Sequence, residues 1–182
     1  MTDGARELTL AELEAGLSHI RNSPRDAGPL EMIVRRPGSE QREVLEAARL
    51  DPAAGLVGDR WAAKVPRRVE EQLTLMNSRL IALVAKDRAR WPLAGDQLYV
   101  DLDLSLVNLP PGTQLQVGDA VIEATGVPHT PCAKFRRRYG ADAMRFVGSA
   151  IGKELQLRGA KARVVTAGDI RVGDTIRKLA RG

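Results

Sequence analysis

The chain contains one cysteine, Cys132, and one of its two histidines, His129, lies three residues before it. Pro128 and Pro131 flank this pair. Proline fixes φ and lacks a backbone donor, so the stretch 126–139 is predicted to be a loop rather than a helix interior or a central strand. Because loops commonly display reactive groups, Cys132 is the first candidate for chemistry.

Four cations follow the thiol: Lys134, Arg136, Arg137 and Arg138. Positive charge near a thiol favours the reactive thiolate, and we expect Lys134 and Arg136 to supply it. His129 is close enough in sequence to accept the proton. We expect Arg137 and Arg138 to form a solvated surface. The alternative is that Cys132 is a small buried hydrophobic residue, as many free cysteines are.

Two histidines and one cysteine also limit the metal chemistry. A closed zinc site of Cys and His needs four ligands, which this chain cannot supply without recruiting carboxylates. A single bond from Cys132 to a metal already held by an organic ligand stays compatible with the sequence. A cysteine hydrolase is an alternative hypothesis for Cys132 and His129, in which a base activates the thiol. His19 is the only other histidine that could act as this base.

The composition predicts a folded globular protein of ordinary size, with 182 residues, 43% hydrophobic and 28% charged. No apolar run approaches the ~20 residues that span a bilayer. Asp3 and Glu7 near the N-terminus, without an apolar core segment, argue against a secretory signal and a mitochondrial transit peptide. One cysteine forms no internal disulfide, so we expect a cytoplasmic protein.

The net charge of +5 favours anionic partners such as nucleic acid, phosphates or acidic surfaces. Proteins that bind single-stranded nucleic acid usually stack bases on aromatic side chains. This chain has only two each of Trp, Tyr and Phe, which disfavours nucleic acid as a partner.

Hydrophobic periodicity predicts many short strands and few helices. A capping box at Thr9 and Glu12 predicts a helix over 9–20, and Asn77 or Ser78 is expected to cap a second through residue 85. The predicted strands are 30–35, 72–76, 97–104, 113–117, 120–125, 162–167 and 174–179. A short helix is expected over 142–147.

Gly-Asp occurs five times, and such dipeptides mark turns. Frequent turns between short strands indicate a mostly β protein, a closed barrel or sandwich with a few short peripheral helices. We expect residues 1–29 to be an N-terminal helix and lead-in, and residues 30–182 to be the β-barrel-like domain.

Six short blocks in a fixed order resemble the MOSC domain, which is named after the C-terminal part of molybdenum cofactor sulfurases. The blocks are 55–60, 95–98, 117–120, 131–135, 158–164 and 172–174. A predicted strand and short helix lie between the first block and the second. The resemblance covers roughly residues 30–180. It implies a barrel-like, mostly β fold with a single functional cysteine at Cys132.

In this family the cysteine is proposed to carry sulfur or to bind the molybdenum of a pterin cofactor. The resemblance therefore implies a molybdenum-cofactor-dependent reductase of N-hydroxylated bases, or a sulfur transferase. It also implies a small-molecule substrate and a cysteine desulfurase or redox protein as partner. The resemblance also implies pyridoxal phosphate, a cofactor of the larger sulfurases, although this chain has no separate domain to hold that aldehyde.

The pterin cofactor ends in phosphate or a dinucleotide, which cations and backbone N–H groups bind. The candidate cofactor-binding residues are Gly58, Asp59, Arg60, His129, Lys134 and Arg136. Asp59 and Arg60 could instead form a structural ion pair. Trp61 stands where many members have His, and Asp96-Gln97 replaces a frequent Glu-Asn; both Trp61 and Trp91 are expected in packing roles.

Two hypotheses from other classes stay open. One is a non-catalytic basic β-barrel that binds nucleic acid or another anionic ligand. The other is a MOSC-shaped scaffold that has lost its chemistry, in which Cys132 would be inert and deeply buried.

Overall fold

The computed structural model describes residues 6–180, so Asp3 lies outside the described residues. The strands are β1 Ala27–Arg35, β2 Glu43–Leu45, β3 Ala47–Asp51, β4 Gly55–Leu56, β5 Leu73–Asn77, β6 Leu98–Val100, β7 Gln114–Val117, β8 Ala120–Ala124, β9 Ala160–Thr166, β10 Gly168–Arg171 and β11 Thr175–Lys178. The α-helices are α1 Leu10–Ala15, α2 Leu17–Arg21, α3 Ser78–Ala85, α4 Ala133–Tyr139, α5 Ala141–Gly148 and α6 Ala150–Glu154. Short 3-10 helices cover Arg60–Ala63, Val69–Glu71 and Arg88–Ala94.

The larger sheet closes into a barrel, as the sequence predicts. Its strands follow the order β11, β7, β8, β9, β5, β6 and β1, and β1 returns to pair with β11. All neighbours are antiparallel except β5 and β6, which run parallel. The protein is therefore mostly β, a closed barrel of seven strands with short helices around it.

Strand β1 closes the barrel because it is long enough to pair with different strands along its length. Ala27 to Pro29 pair with β11, and Leu30 to Ile33 pair with β6. Beyond the barrel, Ile33 to Arg35 pair with β2. β10, β3 and β4 form a second sheet, which contributes Leu50, Leu56 and Ile170 to the same hydrophobic cluster as the barrel strands.

Two hydrophobic clusters hold the molecule together. The first fills the barrel with side chains such as Leu30, Ile33 and Ile122. The second lies between the barrel and the helices, where Met32 and Val34 of β1 meet apolar residues of α1, α3, α4 and α5. From Met32 to Val34 successive residues of β1 alternate between the two clusters, as the period of a strand requires, and a register shift between Leu30 and Met32 puts Leu30 in the same cluster as Ile33.

The predicted helices are present, with one interruption. Thr9 and Glu12 form the predicted capping box, and Asn77 caps α3 by accepting from the N–H of Leu80. The predicted helix over 9–20 is divided into α1 and α2 at Gly16, which packs against Leu83.

Two strand predictions need correction. The strand predicted over 97–104 covers only Leu98–Val100: Asp101 still donates its N–H to Pro29 of β1, but Asp103 donates to Pro24, which lies before β1. The segment predicted to join the last two strands contains β10, which pairs with β3. Gly168 therefore begins a strand, whereas the other four Gly-Asp glycines have positive φ and form turns.

Within residues 6–180, none of the helices combines the length and the apolar character needed to cross a membrane.

Candidate functional site

Cys132 is the N-cap residue of α4 and ends the irregular segment 125–132. The loop prediction for 126–139 is therefore wrong in its second half. The sequence between Pro131 and Gly140 contains neither proline nor glycine, so nothing in it prevents a helix. Phe135 and Tyr139, four residues apart, form one face of α4 and are both buried.

The Cys132 thiol is exposed, and its surroundings make the thiolate easier to form. Partial burial alone would raise the pKa of this thiol. The backbone N–H groups of Phe135 and Lys134, together with the charges of Arg158 and Arg138, outweigh that effect and lower the pKa of Cys132. The alternative of a small buried hydrophobic residue is thus wrong, and the thiol has the access and the electrostatics of a nucleophile or metal ligand.

The cations that follow the thiol have different surroundings. Lys134 Nζ lies 2.5 Å from a Glu40 carboxylate oxygen. Lys134 therefore acts on the Cys132 thiol mainly through its backbone N–H. Arg138 also pairs with Glu40 and is only 13% exposed, which contradicts the expectation of a solvated surface residue. Arg136 and Arg137 are exposed, and neither side chain has an ion-pair partner in the described range.

Four arginines converge on consecutive carbonyls where the 3-10 helix Arg88–Ala94 ends. The last carbonyls of a helix lack partners within it and carry partial negative charge, so they attract guanidinium groups. The bonds are Arg42 Nε to Pro92 at 3.2 Å, Arg138 Nη1 to Leu93 at 2.7 Å, Arg158 Nη2 to Ala94 at 3.0 Å and Arg36 Nη1 to Gly95 at 2.9 Å. A single helix end thereby gathers cations from three parts of the chain: the β1–β2 connection, α4 and the segment before β9.

Five of the cations in this region form what we call the basic cluster: Arg36, Arg42, Arg60, Lys64 and Arg138. Burial lowers the pKa of Arg42, and repulsion from Arg138, Arg36 and Arg60 lowers it further. Burial likewise lowers the pKa of Lys64, with Arg36 and Arg60 adding to the effect. A bound anion would relieve this repulsion, so the basic cluster is suited to phosphate or a similar group.

Asp59 has a structural partner within the basic cluster. Its carboxylate accepts hydrogen bonds from Arg36 Nη2 at 2.8 Å and from the Trp61 N–H at 3.0 Å. Burial opposes ionisation, but these hydrogen bonds and the Arg36 charge keep the pKa of Asp59 below its ordinary value. The open question of an Asp59–Arg60 pair is thus answered by geometry, because the ion-pair partner of Asp59 is Arg36.

Unlike Asp59, the Arg60 side chain has no ion-pair partner among residues 6–180. Its Nε is buried and lacks a hydrogen-bond partner among residues 6–180. Gly58 precedes this pair with φ of +84°, and an added Cβ would lie 3.0 Å from the Arg35 side chain. The tight turn at Gly58 therefore brings the Arg60 guanidinium into the basic cluster while Asp59 is occupied elsewhere.

His129 faces Asp96 rather than Cys132. Its Nδ1 lies 3.6 Å from Asp96 Oδ1, and the other oxygen of Asp96 accepts from Arg158 Nη1 at 2.9 Å. Burial lowers the pKa of His129 to about 4, against the opposing charge of Asp96 and with help from Arg158, Lys161 and Arg36. No hydrogen bond connects His129 to Cys132 in the described part of the chain, which weakens the hydrolase alternative.

A cavity of about 190 Å³ lies beside this histidine. His129 and Arg158 line it together with Leu106, Pro131, Val147 and Gln156. Cys132 follows Pro131 directly, so the cavity and the thiol are neighbours at the start of α4.

Two further features bear on the class of ligand. Residues 6–180 contain no group of three or more His, Cys, Asp or Glu that could hold a metal ion. A metal bound through Cys132 would therefore need its other ligands from an organic cofactor. All six aromatic side chains of the sequence are buried, including Trp61 and Trp91 in their expected packing roles, so none offers an exposed surface for stacking bases.

The structure adds residues that the sequence did not single out for the site. Asp96 and Arg158 lie inside blocks that carried the family resemblance, so that order was an available signal. Arg36, Arg42 and Lys64 carried no signal, because only the tertiary structure brings them to Arg60.

The family model of the MOSC domain matches residues 61–177, more than half of the chain. The chain belongs to the MOSC domain family. No curated protein matches this MOSC protein.

Solved structures show the same fold in other proteins. YuaD from Bacillus subtilis superposes with a TM-score of 0.64 at 15% identity, over 86% of this chain and 97% of that one. YiiM from Escherichia coli gives 0.53 at 18% identity, over 86% and 71%. YiiM from Geobacillus stearothermophilus gives 0.55 at 14% identity, over 85% and 76%. At these identities the likeness concerns the fold of this MOSC protein and not its substrate.

Proposed function

We propose that this MOSC protein binds a molybdenum-containing pterin cofactor, with Cys132 as a thiolate ligand of the metal. The observation that carries the proposal is the exposed Cys132 thiol, whose pKa is lowered in part by Arg138 of the basic cluster. The same cluster contains Arg60, whose buried Nε lacks a hydrogen-bond partner among residues 6–180. The thiolate suits a soft metal, and the basic cluster suits a phosphate.

The residues present fit such a cofactor. Thiolate is a soft ligand of the kind that transition metals accept from cysteine. The buried Arg60 Nε lacks an acceptor among the described residues, and a phosphate oxygen would supply one. Gly58 and Asp59 position Arg60, the exposed Arg136 offers further positive charge on the Cys132 side, and Lys134, whose ammonium pairs with Glu40, contributes its backbone N–H. When bound, the cofactor supplies two-electron redox chemistry.

The reaction proposed for the loaded protein is reduction of N-hydroxylated bases. Two electrons and two protons break the N–O bond, and the products are the parent base and water. The electrons come from a separate redox protein. Arg60 and the basic cluster would bind the cofactor, and the exposed position of Cys132 leaves room for substrate beside it.

The test is to purify the protein from a host that makes the cofactor and to measure molybdenum and pterin. We expect the wild type to contain both, Cys132→Ser to lose molybdenum, and Arg60→Ala to lose pterin and molybdenum together. Arg137→Ala is the matched control, because Arg137 is exposed on α4 and has no ion-pair partner within residues 6–180. A wild type without molybdenum, indistinguishable from Cys132→Ser, would rule the proposal out.

Sulfur carriage is the second candidate, and the exposure of Cys132 favours it. A cysteine desulfurase would transfer one sulfane sulfur to the thiolate and leave a persulfide. Incubation with a desulfurase and cysteine should then add one sulfur atom to the wild type and none to Cys132→Ser, as mass spectrometry would show. Molybdenum without persulfide supports the cofactor proposal, and persulfide without molybdenum supports the carrier.

A basic binding module for nucleic acid is the weaker alternative, since all six aromatic side chains are buried. Retention of a random oligonucleotide that falls steeply with salt would support it.

A further inference from the structure

Two buried polar atoms beside the cavity are without hydrogen-bond partners in the described chain: His129 Nδ1 and Asp96 Oδ1. A buried polar group without a partner costs roughly 1–3 kcal/mol, so native proteins rarely leave two of them side by side. These two atoms lie 3.6 Å apart, slightly beyond hydrogen-bonding distance. A shift of a few tenths of an ångström would join them.

The chemistry of the two groups decides which one donates. The other Asp96 oxygen accepts from the Arg158 guanidinium, and a carboxylate only accepts hydrogen bonds. His129 must therefore carry its proton on Nδ1. A neutral ring with its proton on Nδ1 has a lone pair on Nε2.

The surrounding structure holds this arrangement in place. Gly159 has φ of +118°, and a Cβ there would lie 3.2 Å from both Asp96 Oδ1 and His129 Nδ1. Asp96 is fully buried and Arg158 is only 8% exposed. His129 retains 16% exposure and lines the cavity, and its Nε2 forms no hydrogen bond with the described residues.

The cavity has the size for a small ring. An engineered cavity of about 150 Å³ with apolar walls holds benzene. This one, at about 190 Å³, has apolar walls from Leu106, Pro131 and Val147 and a histidine among its polar groups. Pockets of this kind use a few polar groups to fix the orientation of a largely apolar ligand.

We propose that Asp96 is a positioning residue that holds His129 as a neutral hydrogen-bond acceptor, and that the cavity binds a small planar molecule donating an N–H or O–H to Nε2. The ligand class follows from the lone pair on Nε2, which selects a donor, and from the cavity walls, which select an apolar ring. The inference does not require a cofactor on Cys132, because neither the Asp96–His129 pair nor the cavity wall contains the thiol.

The first experiment reads the proton position directly. The chain has two histidines, so ¹⁵N NMR of the ring nitrogens in a His19→Asn background reports on His129 alone. We expect the proton on Nδ1 at neutral pH in this background. Asp96→Asn should shift the tautomer toward Nε2–H, a change that a purely structural role of Asp96 would not produce. A wild-type ring protonated on Nε2 would overturn the proposal.

The second experiment tests the ligand class with phenol, which donates a hydrogen bond, and anisole, which does not. One hydrogen bond of ordinary strength makes us expect phenol to bind roughly five- to tenfold more tightly than anisole. His129→Phe keeps an aromatic ring but removes the acceptor, so it should abolish this preference. Equal binding of both probes to the wild type, or a preference that survives His129→Phe, would contradict the proposal. Neither result depends on molybdenum content, so failure here is distinct from failure of the cofactor proposal.

Discussion

Arg158 Nη1 donates a 2.9 Å hydrogen bond to Oδ2 of Asp96, a residue 62 positions earlier in the chain. The same guanidinium bonds to the carbonyl of Ala94 and lies 5.0 Å from the ring centre of Phe135. Phe135 belongs to α4, which begins directly after Cys132. Arg158 thus contacts both the carboxylate beside His129 and the helix that begins after Cys132. Its charge contributes to lowering the pKa of His129 and the pKa of Cys132.

Removing this buried carboxylate should destabilise the fold strongly. Asp96→Ala leaves the Arg158 charge buried without its partner, and breaking a buried pair in this way costs about 3–5 kcal/mol. Asp169→Ala is the control, because the Arg49–Asp169 pair is exposed and such pairs contribute at most about 1 kcal/mol. Urea unfolding of both variants measures the difference. Equal losses would show that the Asp96–Arg158 pair has no special weight.

The Cys132 thiol should titrate below the range of an ordinary free thiol. Since it is the only cysteine, the rate of alkylation by iodoacetamide against pH gives its pKa without background. Arg138 stabilises the thiolate, so Arg138→Gln should move the midpoint upward, whereas the exposed Arg137→Gln should leave it in place. A wild-type midpoint at or above the ordinary range would count against a thiolate ligand.

His129 should make stability depend on pH. Its pKa is about 4 in the folded protein against 6.5 ordinarily, so between these values the unfolded chain binds the extra proton. The stability is fully present above pH 6.5 and is lost as the pH falls toward 4, by up to about 3 kcal/mol from this residue. Urea unfolding at several pH values measures the loss. His129→Gln should flatten the curve in this window, and an unchanged slope would refute the assignment.

Gly159 should tolerate no side chain. Besides its positive φ, an added Cβ would lie 2.6 Å from the Leu75 carbonyl oxygen and would crowd Asp96 and His129. Gly112→Ala is the matched control, because Gly112 also has positive φ but open space around its Cβ, so its cost is about 1–2 kcal/mol. Thermal unfolding should show a clearly larger loss for Gly159→Ala. Equal losses would mean that φ alone, and not packing, selects glycine there.

Local patterns in the sequence were sufficient for most elements of the fold. The capping box at Thr9 and the cap at Asn77 each depend on neighbours in the chain, so they can be recognised from the sequence. The same holds for β7 and β8, which the sequence predicts as strands over 113–117 and 120–125. The pairing of β10 with β3 could not be recognised, because the register of a short strand depends on a partner more than a hundred residues away.

The site follows the same division. The sequence by itself determined that Cys132 is the only thiol, that the chain cannot build a closed Cys/His zinc site, and that the order of its short blocks resembles the MOSC domain. It also placed Arg60 after a tight turn at Gly58. These conclusions need only residue identity and spacing along the chain.

Only the tertiary structure decided the surroundings of those residues. Asp59 forms its ion pair with Arg36, and the Arg60 Nε has no hydrogen-bond partner among residues 6–180. The tertiary structure also set His129 against Asp96 instead of Cys132 and brought Arg158 and Arg138 close enough to influence the thiol. The physical reason is that charges act over a few ångströms of space, and closing the barrel brings together groups that lie up to about a hundred residues apart in the chain.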